Sequence, residues 1–320
     1  MWCALFWGKR LRSILIITSE VAVENKSHVF VSIIIPFFNR EEELNSLINT
    51  IPDIPDVEVV MVDDHSTESV SIDKVFKSAG VLMIKNRNGA RYAGTARNEG
   101  IRRSSGEYIL FADSDDLIVA HGLLASLTIL KKKRPDILFC RADSFLENGS
   151  KGVRHIKYNW LVDQAASSGS TDILVRHVSP WCKFIRKAFI TGNNIKFESQ
   201  RVSNDIFFSG SLIVHNPDVL LCDQVVYSIR EGNPSLTSDY TASSLLMRLD
   251  ALERYNRLLS SNGLGYLMSP AFPFLVKVVR SGGLLLGFRR VFRVAGQRQP
   301  IFITLWSLGN LVRRFVRAGQ

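Results

Sequence analysis

An α/β fold on a mostly parallel sheet, with helices on both faces, follows from three features of this 320-residue sequence. Short β-branched apolar runs alternate with segments whose apolar residues recur at helical spacing. The runs carry almost no polar residue, as strands buried on both faces do. Three of them stop abruptly at polar clusters, and in such sheets the ligand crevice lies outside the carboxyl ends of the strands. Right-handed crossovers then bring those clusters to one edge.

Val31 to Ile35 is the first run and ends at Pro36. Glu41 to Ile51 sets Leu44, Leu47, Ile48 and Ile51 on one helical face. Val57 to Val62 predicts a second strand, closed by Asp63-Asp64-His65-Ser66-Thr67, a polar turn suited to capping a helix. That helix is expected over Ser71 to Ala79, and a third strand over Val81 to Ile84. A Gly- and Asn-rich loop, 86–94, leads to a helix over Thr95 to Arg103 with Ala96 and Ile101 inward. Tyr108 to Ala112 predicts a fourth strand, ending at Asp113-Ser114-Asp115-Asp116. Leu123 to Leu130 begins another helix, and Ile137 to Cys140 is a further strand. Residues 141–180 show no readable pattern.

With 46% hydrophobic and 22% charged residues, the composition excludes a disordered or collagen-like chain. Cys3, Cys140, Cys182 and Cys222 form no C-x-x-C pair, which argues against a disulfide scaffold or zinc knuckle and for a reducing compartment. The net charge of +10 is concentrated at one end: residues 241–320 hold twelve Lys/Arg against Asp250 and Glu253, so the first 240 residues are neutral. Met1 to Gly8 is apolar but short, and Lys9, Arg10 and Arg12 follow it, the reverse of signal-peptide order. No stretch is expected to span a membrane.

The chemistry sits at the strand ends. Three carboxylates among Asp113, Ser114, Asp115 and Asp116 repel one another unless a cation or hydrogen-bond donors neutralise them. Mg²⁺ or Mn²⁺ takes oxygen ligands of this kind together with substrate phosphates. Asp63 and Asp64 can accept bonds from a base or a ribose hydroxyl. Pro36-Phe37-Phe38-Asn39 offers an aromatic face for a base.

Four ordered motifs, Val-Ser-Ile-Ile-Ile-Pro-Phe-Phe-Asn-Arg-Glu-Glu, Val-Asp-Asp-His-Ser-Thr, Asn-Gly-Ala-Arg-Tyr-Ala-Gly-Thr-Ala-Arg-Asn-Glu-Gly and Gly-Glu-Tyr-Ile-Leu-Phe-Ala-Asp-Ser-Asp-Asp, resemble glycosyltransferase family 2 over roughly residues 29 to 235. The resemblance implies an inverting GT-A (Rossmann-like) enzyme that uses a nucleotide-sugar donor, here expected to be a UDP-sugar. It implies that Pro36, Phe38, Glu41, Asp63, Asp64, Arg97, Asn98 and Asp113 bind the donor. Phe38 stands where the family usually has Tyr, which leaves stacking alone, and His65 replaces the usual Gly. Asp115, with Asp113, would hold Mg²⁺ or Mn²⁺. Trp181 to Arg186 resembles a family strand, and Arg230 and Ser235 belong to a closing strand and loop able to reach the diphosphate. Asp205 matches the catalytic base, with Asn204 where the family has Glu. An Asp at a helix start next to a neutral Asn is expected to keep a low pKa.

Three regions are expected: a short apolar and basic extension (1–28), a GT-A domain (29–240) and a basic amphipathic helical tail (241–320) that attaches peripherally to an anionic membrane surface at the cytoplasmic side. In the tail, Arg289, Arg290 and Arg293 lie beside Leu285, Phe288 and Phe292. The expected partners are a nucleotide-sugar donor and a glycan or lipid-linked acceptor of surface polysaccharide or lipooligosaccharide synthesis. The acidic strand ends argue against nucleic acid. The competing readings are a nucleotidylyltransferase, which would want a Gly-rich loop after the first strand, and a non-enzymatic membrane-binding module.

Overall fold

The computed structural model describes residues 29–86, 91–169, 173–232, 239–271 and 277. The N-terminal extension and nearly all of the basic tail beyond Ala271 lie outside them. In chain order the elements are β1 (Val31–Phe37), α1 (Glu41–Thr50), β2 (Val57–Asp63), β3 (Gly80–Lys85), α2 (Ala93–Arg103), β4 (Tyr108–Phe111), β5 (Leu117–Ile118) and α3 (Ala120–Lys133). Then follow β6 (Ile137–Leu146), α4 (Arg154–Ser168), α5 (Ile173–Arg176), β7 (Lys183–Arg186), α6 (Lys187–Gly192), α7 (Asn204–Val214), β8 (Val219–Glu231) and α8 (Ala242–Ser261).

The strands form one sheet in the order β3-β2-β1-β4-β7-β6-β8-β5. β3, β2, β1 and β4 are mutually parallel, β7 runs against both β4 and β6, and β8 returns parallel to β6. The carboxyl ends of β1, β2, β3, β4, β6 and β8 therefore share one edge. Alternate side chains explain the apolar runs: Ile33, Ile35, Val59, Met61 and Leu110 enter the core under α1 and α3. Ile34, Val60, Val62, Ile109 and Phe111 enter the core on the other face, under α2, α7 and α8. Each such buried side chain contributes about 1.5–3 kcal/mol.

Two expectations change. Ser71 to Ala79 is not helical. Its backbone groups are taken by side chains from α1 and the loop after it. The Asn45 amide brackets Ser71 and Asp73, and the Asp53 carboxylate accepts the amides of Lys77, Ser78 and Ala79. At the other end, α8 packs against α7 and buries Leu245, Leu249, Leu252, Tyr255 and Leu259 in the second core, so the folded body continues past residue 240.

Candidate active site

At the ends of β2 and β3, Asp63 Oδ1 accepts the Ser66 amide at 2.8 Å and closes the turn. The Asp64 amide donates to the Phe37 carbonyl (2.8 Å), and Asp64 Oδ1 accepts from Asn86 Nδ2 (2.9 Å). A hollow of about 340 Å³ opens there, lined by Asp63, His65, Ser66, Lys85 and Asn86. His65 takes φ +69°, the left-handed conformation that explains the Gly usual at this place. A second hollow of about 400 Å³, between α2 and the loop after α6, has mostly apolar walls including Ile101, Ile190 and Ile195, and no strand-end acid reaches it.

At the end of β1, Pro36 is buried, two residues past Ile34, the last β1 residue paired with β4, so its missing amide breaks no bond on that side. The Phe38 ring carries the Arg91 guanidinium 3.6 Å from its centroid. Glu41 Oε2 accepts the Ser71 amide at 3.0 Å and anchors the loop after β2.

At the end of β4 the three carboxylates divide. Asp116 turns inward, 5% exposed. Its Oδ2 accepts from the Tyr227 hydroxyl and its Oδ1 from the Arg230 amide, both at 2.8 Å. The same hydroxyl accepts the Asp113 amide at 2.8 Å. Burial, with Asp113 and Asp115 alongside, pushes the Asp116 carboxyl up to about 8. Asp116 thus clamps β8 to β4, a role hidden in the sequence because its partner lies 111 positions further on. Asp113 and Asp115 stay about one-third exposed. Arg40 Nη1 sits 3.1 Å from Asp115 Oδ2, and Arg230 Nε donates to the Asp115 carbonyl at 3.0 Å. Burial and the Asp113 charge raise the Asp115 pKa.

Arg97, from α2 and 6% exposed, joins the two sides of the cleft. Its Nη2 donates to Asp113 Oδ1 at 2.6 Å and its Nη1 to Asn204 Oδ1 at 3.0 Å. Asn204 thus keeps a hydrogen bond to Arg97 without adding charge. Asn98 faces elsewhere: its amide makes reciprocal bonds of 2.8 and 2.9 Å with the Phe197 backbone and fixes the segment leading into α7.

Asp205 lies in the first turn of α7. Its pKa is raised, not low as the helix start suggested. Burial dominates, Arg97 and Lys183 oppose it, and Asp113 adds to it. Lys183 on β7 is 1% exposed, donates to the His177 carbonyl at 2.5 Å, and is pushed down to about 7 by burial while Asp205 holds it up. Behind it Trp181 stacks on Tyr227 (5.3 Å between centroids, 5° between planes) and meets Tyr158 edge-on at 4.3 Å.

Asp113 and Asp115 offer carboxylate oxygens only, a donor set that fits Mg²⁺ or Mn²⁺ and leaves positions for a diphosphate. Among the described residues no three His, Cys, Asp or Glu side chains converge as a metal site. Arg40, Asn86, Arg91, Asp116, Tyr227 and Lys183 were not assigned from sequence. The signal available for Asn86 was its place directly after a strand.

A hollow at one pair of strand ends, a D-x-D pair at the next and an acid in the first turn of α7 give the layout of a GT-A fold. The chain belongs to glycosyl transferase family 2, whose family model matches residues 32–191. It is 38% identical over 115 residues to a poly(ribitol-phosphate) beta-glucosyltransferase of Bacillus spizizenii, covering 33% of this chain and 18% of that one. It is 26% identical over 238 residues to the poly(ribitol-phosphate) beta-N-acetylglucosaminyltransferase TarS of Staphylococcus aureus, covering 70% of this chain and 40% of TarS. The match thus spans less than half the length of either relative. The fold resembles the crystal structure of S. aureus TarS in complex with UDP-GlcNAc, with a TM-score of 0.57 and 20% identity over 78% of this chain and 76% of that one.

Proposed function

We propose that the protein transfers a sugar from a UDP-sugar, with inversion, to a hydroxyl of a phosphate-containing polyol polymer of the cell envelope. One observation carries this reading. Arg97 ties Asp113 on the leaving side to Asn204, the neighbour of Asp205 on the attacking side, and so holds the two halves of the reaction in one frame. The beta-linked products and ribitol-phosphate acceptors named for the relatives, and the UDP-GlcNAc of the structural neighbour, support the rest.

In this mechanism the nucleobase lies against Asp64 and Asn86, with Phe38 and Arg91 at the rim. Asp205 takes the proton of the acceptor hydroxyl as its oxygen attacks the anomeric carbon opposite the departing diphosphate. A carboxylate with a raised pKa is a stronger base than an ordinary one. Arg97 keeps Asp113 oriented, and Asp116 keeps Tyr227 and Arg230 in place. Asp115 and Asp113 would hold Mg²⁺ or Mn²⁺, which when bound offsets charge on the leaving diphosphate.

Two measurements test this. Asp205→Asn should keep donor affinity while transfer falls about 10²-fold or more; transfer within a few-fold of wild type removes Asp205 as the base. Excess EDTA should abolish wild-type transfer, and Mg²⁺ or Mn²⁺ should restore it; full turnover in EDTA removes the metal.

We infer in addition that the basic tail attaches the protein to an anionic membrane face. Among the described residues no helix is long and apolar enough to cross a membrane.

A further inference from the structure

The acceptor side of the cleft carries an arginine without an assigned task. α4 begins just beyond the carboxyl end of β6, and its first turn is held by Glu231 at the end of β8. Glu231 Oε1 accepts the amides of Val153 (2.7 Å) and Arg154 (2.5 Å). Arg154 starts the helix face that continues through Tyr158 to the buried Leu161, Val162 and Ala165. The Tyr158 hydroxyl lies 3.2 Å from Ser179 Oγ and its ring meets Trp181 edge-on at 4.3 Å, so this face packs beside the segment that leads into β7. Arg230, the residue before Glu231, donates its amide to Asp116 and its Nε to the Asp115 carbonyl, which sets the start of α4 beside the end of β4. The start of α4 therefore lies between the end of β4 and the segment before β7.

The other arginines of the cleft are engaged. Arg40 pairs with Asp115 and Glu43, Arg97 with Asp113 and Asn204, and Arg230 donates to the Asp115 carbonyl. The exposed Arg154 guanidinium makes no hydrogen bond or ion pair among the described residues. The sheet order decides which substrate it faces. The nucleotide hollow lies over β2 and β3 and the D-x-D pair over β4; β7 and then β6, which leads into α4, continue away from the nucleotide, toward Lys183 and Asp205.

We propose that Arg154 holds a phosphodiester of the acceptor chain beside the hydroxyl presented to Asp205. A guanidinium offers a planar fork of donors matched to phosphate oxygens, a fit a neutral glycan would not use. The exposed Lys157, one turn on, adds positive charge along the same rim. This inference rests on the phosphate-polymer acceptor proposed above.

The test uses the full-length protein, a synthetic ribitol-phosphate oligomer as acceptor probe and the UDP-sugar the wild type uses best. Arg154→Gln should raise the oligomer KM about tenfold or more, the loss typical of a charge-assisted bond, while Arg154→Lys, which keeps the charge without the planar fork, should raise it by less. The affinity for the UDP-sugar, measured by calorimetry, and the melting temperature should not move. Added salt should raise the wild-type oligomer KM more steeply than that of Arg154→Gln. An unchanged oligomer KM in Arg154→Gln, or a loss of donor affinity in step with it, overturns the assignment alone. Failure of the wild type to glycosylate any ribitol-phosphate oligomer overturns the acceptor reading, and this assignment with it.

Discussion

His65 holds a left-handed backbone conformation that costs a side-chain-bearing residue stability. The turn after β2 must bring the Asp63 carboxylate onto the Ser66 amide and hold Asp64 against Asn86, which fixes residue 65 at φ +69°. A side chain there costs about 1–2 kcal/mol, whereas glycine adopts it freely but loses more entropy on folding. The balance favours His65→Gly by a few tenths to about 1 kcal/mol. Urea denaturation should show a higher midpoint at unchanged slope, and a lower midpoint would mean that the imidazole, 3.6 Å from Asp64, supplies more than the backbone strain removes. Other site residues were legible in sequence as types but not as roles. Asp113, Asp115 and Asp116 read as one acidic cluster, yet Tyr227 and Arg230, more than a hundred residues on, turn Asp116 inward as a clamp. Asn98 read as facing the donor, but its neighbour across the fold is the Phe197 backbone. Partners this distant leave no local pattern.

Among elements, strands buried on both faces were legible because burial enforces continuous apolar runs. The segment 71–79 was not, because Asn45, Glu41 and Asp53 supply hydrogen bonds that compete with a helix of ordinary propensity. α4 escaped because only Leu161, Val162 and Ala165 of its fifteen residues are buried, too few for a clear apolar stripe. β7 makes the consequence of element placement testable. It lays Lys183 in the core near Asp205, and that charge draws the Asp205 pKa down against burial. Lys183→Met removes the opposing charge, so the Asp205 pKa rises further. A base must be deprotonated to act, so the acid limb of the kcat/KM profile should move to higher pH. Stability responds with its own sign. Lys183 is lowered from 10.5 to about 7, so between those values the unfolded chain binds a proton that the folded one does not, and wild-type stability gains as pH rises through that window. Lys183→Met should lack that gain. An unshifted acid limb in a variant that melts cooperatively would show that Lys183 serves packing alone.

At the scale of the whole molecule, charge and chemistry are separated along the chain. The first 240 residues are neutral and contain every group assigned to the reaction. After Arg257 come nine Lys/Arg and no acid, interleaved with Leu285, Phe288, Phe292, Leu305 and Phe315. In sequence this charge follows α8, and the proposed membrane attachment assigns it a partner outside the cleft. Each basic residue near an anionic leaflet contributes about 1 kcal/mol, and apolar side chains add what they bury in the interface. On the proposed membrane attachment, nine such residues should give binding that is firm at low ionic strength and lost when the surface potential is screened. The full chain should therefore sediment with vesicles containing phosphatidylglycerol and not with phosphatidylcholine vesicles, and high salt should release it. Arg289, Arg290 and Arg293 changed together to Gln should weaken sedimentation while transfer to a soluble oligomer keeps its rate. Equal binding to neutral vesicles would make the apolar residues the anchor, and loss of transfer in the triple variant would place these arginines in the acceptor path instead.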